Sequence, residues 1–235
     1  MEIDESTQRA IIFWAFNQII SDFPPGMMAR DRAFVSCLDV LETYDVDGSP
    51  EKPLRCTLLL FNDKLLIAKR PSGTKGARQL CGLDDMDNLA ALYRDPSKGT
   101  TSGTPRKLKK AEMGYRGVVE LDEVTPVDLG GDAFGLVFAR APFDGQGKWS
   151  GRLVRKYQVA PTYPADIRRV EKETFLGQLA ERRCVFAGRN GGLPRKSARM
   201  WEGGMAKDSF VIYYSLWERP LWERDAHERR VSQCF

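Results

Sequence analysis

Leu54 to Arg70 reads LRCTLLLFNDKLLIAKR, two apolar runs hinged on Asn62-Asp63. Leu58, Leu60, Leu65 and Ile67 supply apolar content suited to strands. Asn and Asp tolerate the positive φ values that a tight reversal demands, so pattern and turn chemistry together predict a β-hairpin.

Seven further segments carry strand or helix signals around it. Phe34 to Tyr44 mixes β-branched, aromatic and alternating polar residues, which predicts a strand ahead of the hairpin. Strand character returns at Tyr115–Leu121, Val124–Leu129, Phe134–Ala139 and Leu153–Ala160, between Asp, Gly and Pro breaks, which brings the expected strands to seven. Ser6 or Thr7 can cap a helix running to about Ser21, with Ile12, Phe16, Ile19 and Ile20 near one side and Trp14 adding bulk; Pro24-Pro25-Gly26 ends it. A second helix is expected over Asp166–Val185, with Phe175, Leu176, Leu179 and Ala180 as its apolar side. Glu171 and Glu173 near its start and Arg182 and Arg183 at its end suit the helix dipole.

Residues 71–112 break the pattern with Gly, Ser, Thr and basic residues around one short helical stretch, Asp84–Arg94, and read as a long insertion outside the core. Gly188 to Lys207 reads as a linker. Asp208 to Phe235 reads as a strand, a short helix from Pro220 and a last strand, an extension whose alternating Phe210, Ile212, Tyr214 and Leu216 need a surface to cover them.

The chain has 235 residues, 42% of them hydrophobic and 29% charged, which suits a soluble globular protein of one domain with additions, or of one domain plus part of another. Its net charge of +4 is too small to imply nucleic-acid binding from the total. The apolar run Ala10–Ile20 follows Glu2, Asp4 and Glu5 and is broken by Asn17 and Gln18, so it is read as neither a signal peptide nor a membrane span. Five scattered cysteines (Cys37, Cys56, Cys81, Cys184, Cys234) form no CxxC pair, which argues for a reduced, cytoplasmic protein without a disulfide framework or zinc site.

A strand ending in Phe-Asn-Asp, followed by Leu-Leu and basic residues, resembles the second and third strands of pleckstrin-homology (PH) domains in Dbl-family exchange factors for Rho GTPases. The match covers roughly residues 34–183. It implies a mainly β fold with α: a seven-stranded, bent antiparallel sheet or barrel over residues 30–187 capped by a C-terminal helix, preceded by a helix (1–26) that looks like the end of a Dbl-homology (DH) bundle. The linker 188–207 and extension 208–235 lie outside it. DRAFVSCLDVLE, LRCTLLLFNDKLLIAKRP, GLDDMDNLA and YRGVVELDEV are similar to fungal exchange factors of bud-site selection and septation. The resemblance implies a non-catalytic module that positions or regulates an adjacent catalytic domain, a Rho-family GTPase as partner of the parent protein, no cofactor, and recruitment from the cytoplasm to the cell cortex or division site with cortical scaffold proteins as further partners. A catalytic DH bundle is comparable in size to the whole chain and does not fit within it.

Two departures from that family stand out. Phe175 replaces the tryptophan usual in the last helix. Asp45, Asp47 and Glu51 face Lys52 and Arg55 where phosphoinositide-binding members place a basic set, and this net negative loop repels a multiply charged inositol phosphate.

Basic residues gather elsewhere. Lys69, Arg70, Lys75 and Arg78 leave the hairpin, and Lys98, Arg106, Lys107, Lys109 and Lys110 close the insertion. If both ends of the loop lie together they form one patch, and anionic membranes attract such residues at about 1 kcal/mol each; the plain alternative is a solvated loop. Arg189, Arg195, Lys196 and Arg199 read as linker. Nucleic-acid binding is disfavoured, because the insertion's only aromatic is Tyr93 and stacking platforms are absent.

Tyr213, Tyr214, Trp217 and Trp222 are residue types that dominate interface cores, and they make the extension a candidate self-association element, giving a homodimer as the alternative function. His227, among Arg224, Glu228 and Arg229, reads as a solvated side chain. Asp84, Asp85 and Asp87 lack the glycine turn and distal glutamate of a calcium loop and read as helix-start carboxylates. No catalytic, metal or cofactor-binding residue is expected.

Overall fold

The computed structural model describes residues 4–43, 45–46, 49–50, 53–73, 75–94, 113–140 and 153–189. Helix α1 spans Glu5–Ile19 and begins two to three residues earlier than a Ser6 or Thr7 cap would place it. Asp4 is the cap: its carboxylate accepts from the Thr7 amide at 2.9 Å and from the Thr7 hydroxyl at 2.6 Å, so Thr7 is a donor inside the first turn.

All seven expected strands form: β1 Phe34–Thr43, β2 Leu54–Phe61, β3 Lys64–Lys69, β4 Met113–Glu120, β5 Val124–Asp128, β6 Ala133–Phe138 and β7 Val154–Val159. Beside β4 lies a two-residue strand, Ile20–Ser21, the one parallel neighbour among the described residues. The sheet runs Ile20–Ser21, β4, β3, β2, β1, β7, β6, β5, with β5 outermost and its Pro126 opposite Leu136. A second ribbon pairs Asp45–Val46 with Ser49–Pro50.

The sheet has a core on each side, and the hairpin supplies both. Leu58, Leu60, Leu65 and Ile67 face an inner core with Leu38, Val40, Phe134, Phe138 and Tyr157. Leu59, Phe61, Leu66 and Ala68 face an outer core with Ile11, Phe13, Phe16 and Ile19 of α1. This explains why the hairpin reads as continuous apolar runs, since alternation is lost when both faces are covered. Helix α1 is likewise covered on two sides: Phe13 stacks on Phe61 at 5.5 Å between ring centres, while Trp14 meets Tyr93 edge-on at 5.8 Å.

Tyr93 belongs to the insertion, whose described part is not the peripheral loop expected. It forms α2 (Ala77–Leu80) and α3 (Met86–Arg94), and Ala77, Cys81, Leu83, Leu89 and Ala90 join the outer core. Asp85 accepts from the Asn88 amide at 3.1 Å, which confirms the acidic cap of α3.

The hairpin turn also departs from expectation. Neither Asn62 nor Asp63 has positive φ; among the described non-glycine residues only Asp22 does, at 56°. Their polar side chains instead hold the segment before β1. Asn62 accepts from the Ala33 amide at 2.9 Å and donates to the Asp31 carbonyl at 2.8 Å. The Asp63 carboxylate takes the Arg32 guanidinium in a fork, at 2.7 and 2.5 Å.

Helix α4, Arg168–Arg189, closes the inner core with Phe175, Leu176 and Leu179, so Phe175 fills the core-facing aromatic position. Lys172 is only 1% exposed, and its ammonium lies 2.7 Å from Asp128 at the end of β5. Burial works to raise the Asp128 carboxyl, but the Lys172 ammonium and the Gly130 amide outweigh it and hold it below the ordinary range. Arg183 donates to the Leu121 carbonyl at 3.1 Å, tying the helix to the β4–β5 turn. Gly177 sits inside this 22-residue helix with nothing within 4 Å of where a Cβ would be. Gly177→Ala should therefore stabilise the fold by about 0.5–1 kcal/mol in urea denaturation, and an unchanged or lowered midpoint would contradict this reading of the helix surface.

Candidate functional site

The expected basic patch is placed in part. Lys69 at the end of β3 and Lys75 in the following loop are exposed. Arg78 is also exposed, and its guanidinium meets the Asp84 carboxylate at 2.8 Å, so its charge is locally balanced. Arg106, Lys107, Lys109 and Lys110 lie outside the described residues, as do Lys98, Tyr213, Tyr214, Trp217, Trp222 and His227.

Arg70 corrects the expectation that it lines the patch. It is 3% exposed, with its Nε 3.3 Å from Asp39 Oδ1, and it donates to the Cys56 and Lys75 carbonyls at 3.2 and 3.3 Å. Asp39, on β1 and also buried, accepts from the Thr57 hydroxyl at 2.6 Å and from the Ala77 amide at 3.1 Å. A Cβ on Gly76 would stand 2.6 Å from the same carboxylate, so only glycine lets the backbone pass this close. The chemistry is that of an anchor: a buried, fully engaged ion pair fastens the base of the insertion to β1 and β2 and leaves Lys69 and Lys75 outside.

A second buried ion pair lies further along β1. Glu42 of β1 and Arg155 of β7 are 3.5 Å apart and both nearly sealed from solvent. The Cys56 thiol donates to Glu42 at 3.6 Å, and the Arg155 guanidinium carbon lies 5.7 Å from the Phe138 ring centre. Burial, with the adjacent Glu42 charge, pushes the Cys56 thiol up to about 12 against the opposing pull of Arg116 and Arg155. Burial likewise raises the Tyr157 phenol well above its ordinary value. Sequence reasoning missed this cluster, although a signal was there: Glu42 keeps phase with Leu38 and Val40, and Arg155 with Tyr157 and Val159, so both occupy inward positions of their strands.

Arg155 thus faces a carboxylate within the protein. Arg55, at the start of β2, is turned to the Gly73 carbonyl. The side chains of Asp45, Asp47, Glu51 and Lys52 lie outside the described residues.

The described cysteines are free thiols. Burial raises Cys37 to about 12 and Cys81 higher still, so neither is a ready thiolate nucleophile. Among the described residues no group of three or more His, Cys, Asp or Glu side chains could hold a metal ion, and Asp84 and Asp85 serve as an ion-pair partner and a helix cap.

No protein-family profile matches the chain. Over 79 residues, 34% of the chain, it is 30% identical to the Rho guanine nucleotide exchange factor gef2 of Schizosaccharomyces pombe, and the match spans 7% of that protein's length. Among solved structures, it is similar to the DH/PH fragment of PDZRHOGEF crystallised with human RhoA, at a TM-score of 0.39 and 11% identity over 76% of this chain and 39% of that one. It is also similar to the linker-DH/PH domains of p115-RhoGEF, at a TM-score of 0.40 and 10% identity over 76% of this chain and 41% of that one.

Proposed function

We propose that this chain is the non-catalytic, PH-type module of a Rho-family exchange factor, holding an adjacent catalytic DH bundle near an anionic membrane surface. The observation that carries the reading is the use made of the helices. Helices α1, α2 and α3 cover the outer face of the sheet and α4 seals its inner core, so each of these helices serves the packing of the sheet. The 79-residue similarity to a Rho exchange factor supports such a parent protein. The Rho GTPase is then the partner of the parent, a cortical scaffold protein is a further partner of the module, and the place of action is the cortex or division site during polarity or septation.

Membrane attraction runs through Lys69 and Lys75 with the basic residues at the far end of the insertion. Its source is a spread of lysines on a surface, so it is sensitive to salt and indifferent to headgroup stereochemistry. In flotation with phosphatidylserine vesicles, the full chain should bind at low salt and be released at high salt. Changing Lys107, Lys109 and Lys110 together to Glu should lower binding at least about tenfold, since three cations of about 1 kcal/mol each become anions. Binding equal to that of the unaltered chain would overturn the patch.

A further inference from the structure

Three serine or threonine side chains are exposed among the described residues: Ser6, Ser72 and Thr174. Ser6 lies in the first turn of α1 and Thr174 within α4, where the backbone is closed into helix. Ser72 alone lies outside regular structure. The last ladder bond before it joins the Arg70 amide to the Arg55 carbonyl at 2.8 Å, and the chain is next fastened at Gly73, whose carbonyl accepts from Arg55, and at Ala77 on Asp39. Pro71, Ser72 and Gly73 between these points are all exposed.

We propose that Ser72 is the phosphoacceptor of a basophilic protein kinase, and that its phosphate switches off the cationic rim to which the membrane reading above assigns binding; the second half of this inference rests on that reading. A kinase cleft takes its substrate in extended form, which a tethered but unladdered segment can adopt by local opening and a helix cannot. The surroundings select the class of enzyme. Lys69 stands three residues before Ser72 and Lys75 three after, no Asp or Glu occurs between Lys64 and Leu83, and Gly73 in the next position gives a proline-directed enzyme nothing to read. Arg70, though near in sequence, is engaged by Asp39, so recognition falls to the exposed lysines.

In the reaction the Ser72 Oγ attacks the γ-phosphorus of magnesium-bound ATP, the bond to the ADP oxygen breaks, ADP leaves, and the hydroxyl proton passes to the kinase's own base. The product carries about −1.5 to −2 charge beside Lys69 and Lys75, enough to offset the charge of those two lysines.

The test uses the full chain, incubated with Mg·ATP and the catalytic subunit of cyclic-AMP-dependent protein kinase as the basophilic probe. Phosphate is located by mass spectrometry, and flotation with phosphatidylserine vesicles follows, with S72A carried through the same steps. The expected result is phosphate on Ser72, vesicle binding at least tenfold weaker than before, and a clearly smaller loss of binding for S72A given the same kinase treatment. Absence of phosphate at Ser72, or a phosphorylated chain that floats like the unmodified one, overturns the inference. If the unmodified chain itself fails to float, the membrane reading falls instead, and mass spectrometry still decides whether Ser72 is the acceptor.

Discussion

A chain lacking residues 1–21 should not fold. The expected signs are loss of the cooperative urea transition and elution as aggregate, because the truncation uncovers the outer face of the hairpin, including Leu59, Phe61 and Leu66. It also removes Ile11, Phe13, Phe16, Ile19 and Ile20, all nearly sealed from solvent. Each such side chain contributes about 1.5–3 kcal/mol on burial, so the five together match the whole stability of a typical domain, about 5–15 kcal/mol. The aromatic cluster concentrates this effect: Phe16 lies 5.2 Å from Phe34 and 6.0 Å from Phe61, edge to face in both cases. Phe16→Ala alone should cost about 3–5 kcal/mol in urea denaturation. A truncated chain that is monomeric and unfolds cooperatively near the full-length midpoint would show that α1 is an appendage, as expected of the end of a preceding bundle, and not part of this core.

Asp39→Ala should be the most damaging single change on the polar side, at about 3–5 kcal/mol, because it strands the Arg70 guanidinium in a buried position. It also deprives the Thr57 hydroxyl and Ala77 amide of their acceptor. A double-mutant cycle separates these effects. With Arg70→Met alongside Asp39→Ala, no charge remains to strand, and the loss should be smaller than the sum of the two single changes by at least about 1 kcal/mol. Additive losses would mean that the pair is not coupled and that Asp39 acts only through its neutral hydrogen bonds.

The seven strands and the closing helix were legible because their signals are local: strand residues between Gly, Pro and Asp breaks, then a helical stripe with Phe175 in it. What sequence reasoning could not supply is the second core. Ala77, Leu83 and Leu89 sit in a stretch rich in Gly and basic residues, and nothing in their spacing says that the stretch folds back beneath α1. The turn at Asn62-Asp63 shows the same limit. Residue type predicted a reversal, which occurs, but the reason for Asn and Asp lies about thirty residues earlier in the chain, at Ala33 and Arg32. Residue type alone places Arg70 at the surface, because its charge is read without a partner, and Asp39, hidden in an apolar strand, is the residue that draws it inward. The expected self-association residues and the far half of the basic patch fall outside the described residues.

Pro126 gives the outer end of the sheet a property of its own. The Phe138 amide bonds to Leu153, away from β5, so Phe138 and Leu136 send their amides toward β7. The position opposite Leu136, Pro126, therefore turns its nitrogen to the open side of β5, where it has no hydrogen to offer. An incoming strand would meet a missing rung at the centre of a five-residue template. One imino acid thus makes this edge a poorer template for pairing with a second copy of the molecule.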